Sequence, residues 1–146
     1  SPRVVERMGD HIYFRMHPNV RDAYSAEITD VSQASGDGYM AVFELKDGEQ
    51  ADIGGFLIRR EGNKIYTDRT AVYPLFDGAH LISGTPEIRD GYQVEVLVDD
   101  NLVEVYINDG EYVISNAVYG LDRSVQKSGA SQMRLYTMRE EHDREK

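Results

Sequence analysis

Apolar residues in this chain recur at every second position rather than every third or fourth, and turn-forming residues interrupt them roughly every eight to twelve positions. Polarity that alternates along the backbone suits a pleated strand with one face on a core. The stretch from Tyr92 to Ser115 shows it most clearly. Val94, Val96 and Val98 alternate with Glu95 and Leu97, and Asp99-Asp100-Asn101 supplies a turn. Val103, Val105 and Ile107 then alternate with Glu104, Tyr106 and Asn108. Asp109-Gly110 suits a tight hairpin, because Gly accepts positive φ and Asp tolerates it, and the chain returns as Tyr112-Val113-Ile114-Ser115. This reads as a three-stranded meander with one apolar and one mixed face.

The same grammar predicts strands at 11–17, with Ile12, Phe14 and Met16 on one face, and at 39–45 after a turn at 35–38. Further strands are expected over 51–59, with Gly54-Gly55 as a bulge, over 64–69 after a turn at Glu61-Gly62-Asn63, and over 132–138. About ten strands and no convincing amphipathic helix predict an all-β fold. The architecture expected is a two-sheet antiparallel sandwich of jelly-roll or concanavalin type. Residues 1–138 are read as one module and 139–146 as a charged, frayed tail. The segment 71–88, with Pro74, Gly78, Gly84 and Pro86, is the least regular and the first choice for a functional loop.

A length of 146 residues fits one domain with a real core. With Lys+Arg 16 against Asp+Glu 26, the net charge is −10, which opposes binding to nucleic acid or anionic membrane surfaces, and no basic run offsets it. No apolar run is long enough to span a bilayer, and the start Ser1-Pro2-Arg3 has no signal-peptide character, so a targeting segment is expected to be absent or removed. The absence of Cys removes disulfides, thiolate chemistry and Cys-based zinc sites.

Motifs for catalysis are scarce. The Asp-Gly pairs fit no twelve-residue calcium loop and read as turns, the four His residues are scattered, and no metal or cofactor is expected. There is neither a Gly-x-Ser-x-Gly elbow nor a phosphate loop. Carboxylate pairs for glycosidase chemistry can be drawn from many acids, which makes no pair distinctive. The more specific pattern is an acid, an aromatic and an amide, Glu104, Tyr106 and Asn108, on one strand face with Glu95 beside them. Carboxylates and amides bind vicinal hydroxyls and aromatic faces stack on sugar rings, so this face is a candidate carbohydrate platform.

Those residues also carry a resemblance. Residues 98–112, Val-Asp-Asp-Asn-Leu-Val-Glu-Val-Tyr-Ile-Asn-Asp-Gly-Glu-Tyr, resemble the VDRSSVEVFVNDGE signature in the C-terminal β-sandwich of glycoside hydrolase family 32, the invertases, levanases and inulinases. Ile53-Gly54-Gly55-Phe56, followed by Lys64 to Thr70, resembles the IGYD…LYVDRT strand pair of that domain. The resemblance spans roughly residues 10–138. The family's catalytic motifs, carried by a five-bladed propeller, have no counterpart here, and Arg21-Asp22 followed by Ala23 lacks the Pro of an Arg-Asp-Pro triad. The resemblance therefore implies a non-catalytic module. It either binds a β-fructan or fructose-containing sugar, as the related carbohydrate-binding module family 66 does with levan, or serves a propeller catalytic domain structurally or through subunit contacts. The candidate ligand residues are Asp68, Arg69, Asp99, Glu104, Tyr106 and Glu111. The resembled family includes both secreted levanases and cytoplasmic sucrose-phosphate hydrolases, so the compartment stays open, with a secreted or cell-surface setting slightly favoured over the cytoplasm.

Overall fold

In a computed structural model of the chain, residues 1–34, 36, 38–74, 80–89 and 91–139 are described. Expectations for the tail beyond 139, for part of the 71–88 segment and for Ser35, Asp37, Asp77, Gly78 and Asp90 lie outside them. The chain is an all-β antiparallel sandwich. Its strands are β1 (Arg3–Met8), β2 (His11–Met16), β3 (Ala26–Ile28), β4 (Gly38–Glu44), β5 (Gln50–Ile53), β6 (Phe56–Glu61) and β7 (Lys64–Asp68). They continue with β8 (Ile82–Gly84), β9 (Gln93–Asp99), β10 (Leu102–Ile107), β11 (Tyr112–Ala117), β12 (Val125–Lys127) and β13 (Arg134–Thr137). One short helix, α1 (Pro18–Ala23), starts on a proline at its first turn with His17 Nδ1 accepting from Asn19 N at 3.0 Å.

Among the described residues three sheets form: a six-stranded one in the order β11-β10-β9-β4-β13-β3, a five-stranded one in the order β12-β5-β6-β7-β8, and the β1-β2 hairpin, in which β1 pairs with β2 alone. Thirteen strands stand among the described residues where about ten are expected. Four of them, β1, β3, β8 and β12, match no segment expected individually, because they are short or lack clean alternation. The meander of β9, β10 and β11 is present, with Val103 opposite Val98 and Asn116. Its inward residues, including Val96, Val105 and Ile107, meet Ile53, Phe56, Ile58 and Ile65 of the other sheet in a fully buried core.

The strand expected over 51–59 is instead two strands. Ile53 pairs with Phe56 across a two-residue turn, and Gly54 and Gly55 have φ of 62° and 105°, the positive values a tight hairpin turn demands. A bulge and a hairpin share the same glycine signal, and alternation on both sides does not distinguish them. Gly54 has a second constraint. A Cβ there would lie 2.5 Å from the Asp122 carbonyl oxygen, and the Gly54 backbone bonds both Asp122 N and Ser124 O, tethering the crossing from β11 to β12. Gly54→Ala is expected to lower unfolding stability by more than about 1 kcal/mol in urea titration, because the positive φ and the blocked space both oppose it; an unchanged midpoint would contradict the tether.

Candidate docking surface

Alternation puts Val103, Val105 and Ile107 on the inner face of the six-stranded sheet and Glu104 and Tyr106 on the outer one. The outer face is not open. The base of the hairpin and α1 lie across it, and Met16, Tyr24, Met40, Leu97 and Tyr106 form a second buried core. Glu104 is 1% exposed and Tyr106 0%. The face read from sequence as mixed is thus roofed by the chain's own N-terminal segment. Met40, Val42 and Leu97 share that face by alternation, and their apolar character is the sequence signal that it needed a cover.

Ion pairs fasten the cover. Arg3 Nη2 donates to Glu104 Oε2 at 2.8 Å and to Ser115 Oγ at 2.6 Å, Arg3 Nε donates to Tyr106 Oη at 3.3 Å, and the Ser1 nitrogen donates to Glu104 Oε1 at 3.0 Å. Tyr106 Oη in turn donates to Glu104 Oε2 at 3.2 Å. Burial disfavours the Glu104 carboxylate, but the hydrogen bonds from Ser1 and Arg3 outweigh it and hold its pKa below the ordinary value. Burial, with Glu104 nearby, raises that of the Tyr106 phenol. Arg21 on α1 pairs with Glu95 and with Asp109 Oδ1 at 3.1 Å, and Arg15 Nη1 pairs with Asp109 Oδ2 at 2.6 Å.

Beyond this anchorage the hairpin projects. Its β2 strand rests on the β10–β11 turn, where Phe14 N donates to Gly110 O at 2.9 Å and His11 Nε2 lies 2.6 Å from Glu111 O. Gly110, at φ 102°, is required here because a Cβ would sit 2.5 Å from the Phe14 carbonyl oxygen. Asn108 and Asp109 before it have φ of 50° and 57° and close the turn with Gly110 N on Ile107 O. Val5, Ile12 and Phe14 occupy one face of the hairpin by register and are 64%, 49% and 42% exposed, while Val4 and Met8 are exposed on the other. A groove of about 540 Å³ separates the hairpin from β11, with Ile12, Phe14, Tyr112 and Val113 as apolar wall and Arg3, Asp10 and Glu111 as polar rim.

The residues singled out in the sequence lie in separate places. Glu104 and Tyr106 are under the hairpin, and buried Glu111 is at the β10–β11 turn, accepting from Asn108 Nδ2 at 2.8 Å and Arg89 N at 3.2 Å. Asp99 is exposed at the opposite end of the meander. Asp68 and Arg69 belong to the other sheet. Asp68 Oδ1 accepts from Thr70 N and Oγ1 at 2.8 and 2.5 Å. Arg69 donates to His80 O and Ala117 O at 2.8 and 3.0 Å and lies 3.9 Å from the Tyr73 ring centroid, with Tyr119 5.5 Å further on. Among the described residues no three His or carboxylate side chains gather to hold a metal ion, and no helix is long and apolar enough to cross a membrane.

An antiparallel sandwich of this topology, with one sheet partly roofed by the N-terminal segment, defines an all-β sandwich module. Residues 17–143 match the family described as glycosyl hydrolases family 32 C terminal, and the chain belongs to that family. No curated protein sequence matches it. Among solved structures, it is similar to a sucrose-6-phosphate hydrolase from Lactobacillus gasseri, with a TM-score of 0.72 at 17% identity over 94% of this chain and 33% of that one. It is also similar to a family 32 β-fructofuranosidase of Bombyx mori, with a TM-score of 0.65 at 12% identity over 94% of this chain and 32% of that one. The chain thus spans about a third of the length of each.

Arg3→Ala is expected to lower stability at pH 7 by about 1–3 kcal/mol, the cost of leaving a buried acceptor short of a charged donor. Because the native Glu104 pKa is depressed, its stabilising contribution is complete above the unfolded value of about 4.3 and is lost as pH falls through the lower native value. The gap between wild type and Arg3→Ala therefore narrows on acidification, which urea midpoints at pH 7 and about pH 3.5 test. A gap independent of pH would show that Arg3 does not act through this carboxylate.

Proposed function

We propose that the chain is the non-catalytic sandwich of a β-fructosidase and that its N-terminal hairpin seats it on the catalytic domain of the parent hydrolase, the propeller that the family resemblance implies. The observation that carries this reading is the contiguous exposed apolar surface of Val5, Ile12 and Phe14 beside the groove at Tyr112 and Val113. An isolated two-stranded hairpin is marginal in water, and large apolar side chains held out to solvent mark a surface to be covered. Both similar structures are about three times the length of this chain and are named as a sucrose-6-phosphate hydrolase and a β-fructofuranosidase, which supports a catalytic domain as the cover. Gel filtration of this chain with the separately expressed catalytic domain of its own hydrolase is expected to give one peak. The double variant Val5→Glu, Phe14→Glu restores two, with little change in the isolated chain's melting temperature. Separate elution of the wild-type chain would reject the reading.

A second reading, sugar binding by the sandwich itself, is supported by a different observation: the end of the meander away from Gly110 opens into a polar cleft with one tyrosine in its lining. The ligands implied are levan, inulin or terminal fructose. Hydrogen bonds to hydroxyls already solvated by water yield little net free energy, so titration calorimetry is expected to give dissociation constants near about 1 mM. Heat equal to that of buffer removes this second reading without touching the first.

A further inference from the structure

Among the described residues the two large sheets end on four strands, β11 and β3 in one, β12 and β8 in the other. Edge strands carry unpaired backbone groups, and proteins ordinarily blunt them by keeping them short or by placing charge or proline there. Three of the four follow that practice. β3, β8 and β12 have three residues each; Glu27 lies in β3, Lys127 in β12, and Pro86 follows shortly after β8. β11 does not. It runs for six residues, Tyr-Val-Ile-Ser-Asn-Ala, without charge, proline or glycine, and its β-branched Val113 and Ile114 favour extended backbone.

Register fixes which of its backbone groups are open. Val118 N donates to Asn101 O at 2.9 Å and Val103 lies opposite Asn116, so residues 118, 116, 114 and 112 are those that exchange bonds with β10. The N–H and C=O groups of Val113, Ser115 and Ala117 therefore point away from the sheet. Among the described residues no backbone group bonds to them, and the one side-chain bond they receive is from Arg69 Nη1 to Ala117 O at 3.0 Å. Ser115 and Ala117 are exposed, and beside Val113 the groove of about 540 Å³ leaves room between the strand and the hairpin.

We propose that this edge is a homodimer interface, in which β11 of a second copy adds antiparallel about a two-fold axis at Ser115. The strand is its own complement in that register. Ser115 N–H of each copy meets Ser115 C=O of the other, and Val113 pairs with Ala117, whose carbonyl keeps a lone pair beside Arg69. Ile114 falls opposite Asn116, so no like charges face each other. The charges that border the strand are complementary: exposed Asp10, beside the Tyr112 end, comes to the same corner as Arg69 of the second copy, at the Ala117 end.

A strand contact of this length buries less than the roughly 1,200 Å² of a standard interface, so the dimer is weak. Sedimentation equilibrium of the chain between about 10 μM and about 1 mM is expected to show the mean mass rising from one copy toward two. Over the same range amide exchange at residues 113, 115 and 117 is expected to slow, while residues 112, 114 and 116 stay unchanged. Ala117→Lys, at an exposed site, is expected to weaken association at least about tenfold with the melting temperature level, since a lysine on an edge opposes strand addition. A monomer throughout, or a dimer that Ala117→Lys leaves intact, overturns the proposal. Loss of the dimer in the double variant Val5→Glu, Phe14→Glu places the contact on the hairpin and overturns it as well. If the separately expressed catalytic domain slows exchange at 113, 115 and 117 while the chain alone stays monomeric, the edge belongs to that domain and the second copy is rejected as its occupant.

Discussion

The six-stranded sheet has apolar side chains on both of its faces, and this requirement for two covers organises the molecule. The inner cover is the second sheet, supplied by the usual alternation of a sandwich. The outer cover comes from the first two dozen residues, which lie over Met40, Leu97 and Tyr106. That placement also encloses a carboxylate, Glu104, which is tolerable only because Arg3 arrives with the cover. Apolar burial and the buried ion pair are therefore one arrangement: removing the N-terminal segment would expose the apolar residues and strand the charge together.

Much of the architecture was legible in the sequence because alternation and turn residues act locally. The meander from Gln93 to Ala117, the turn at Asp100-Asn101 and the strand at Lys64–Asp68 follow from nearest-neighbour patterns. The Gly54-Gly55 hairpin was misjudged as a bulge because local signals do not fix which partner a strand takes. The candidate surface was harder to see. Glu104 and Tyr106 were readable as an outward-facing pair, but what lies over an outward face is decided by residues about a hundred positions away, such as Arg3.

The two ends of the meander differ in chemistry. At the Gly110 turn, apolar side chains are held out on a hairpin pinned by arginines, a surface suited to a large, dry partner. At the Asp100 turn, charged and amide groups ring a small concavity, suited to a wet ligand a few atoms across. A family resemblance that implied either a structural or a sugar-binding role need not be resolved in favour of one, since the two surfaces do not share a residue.

The hairpin also restricts how it can be recognised. Because β1 pairs, among the described residues, only with β2, its outer edge offers backbone groups that none of them pairs, the usual invitation to strand addition. Arg3, Glu6 and Arg7 punctuate that edge with charge of both signs, which discourages another strand from extending the sheet. The hairpin thus presents its side chains while withholding its backbone. A partner that docked here as proposed would be read through Val5, Ile12 and Phe14, by shape rather than by strand pairing.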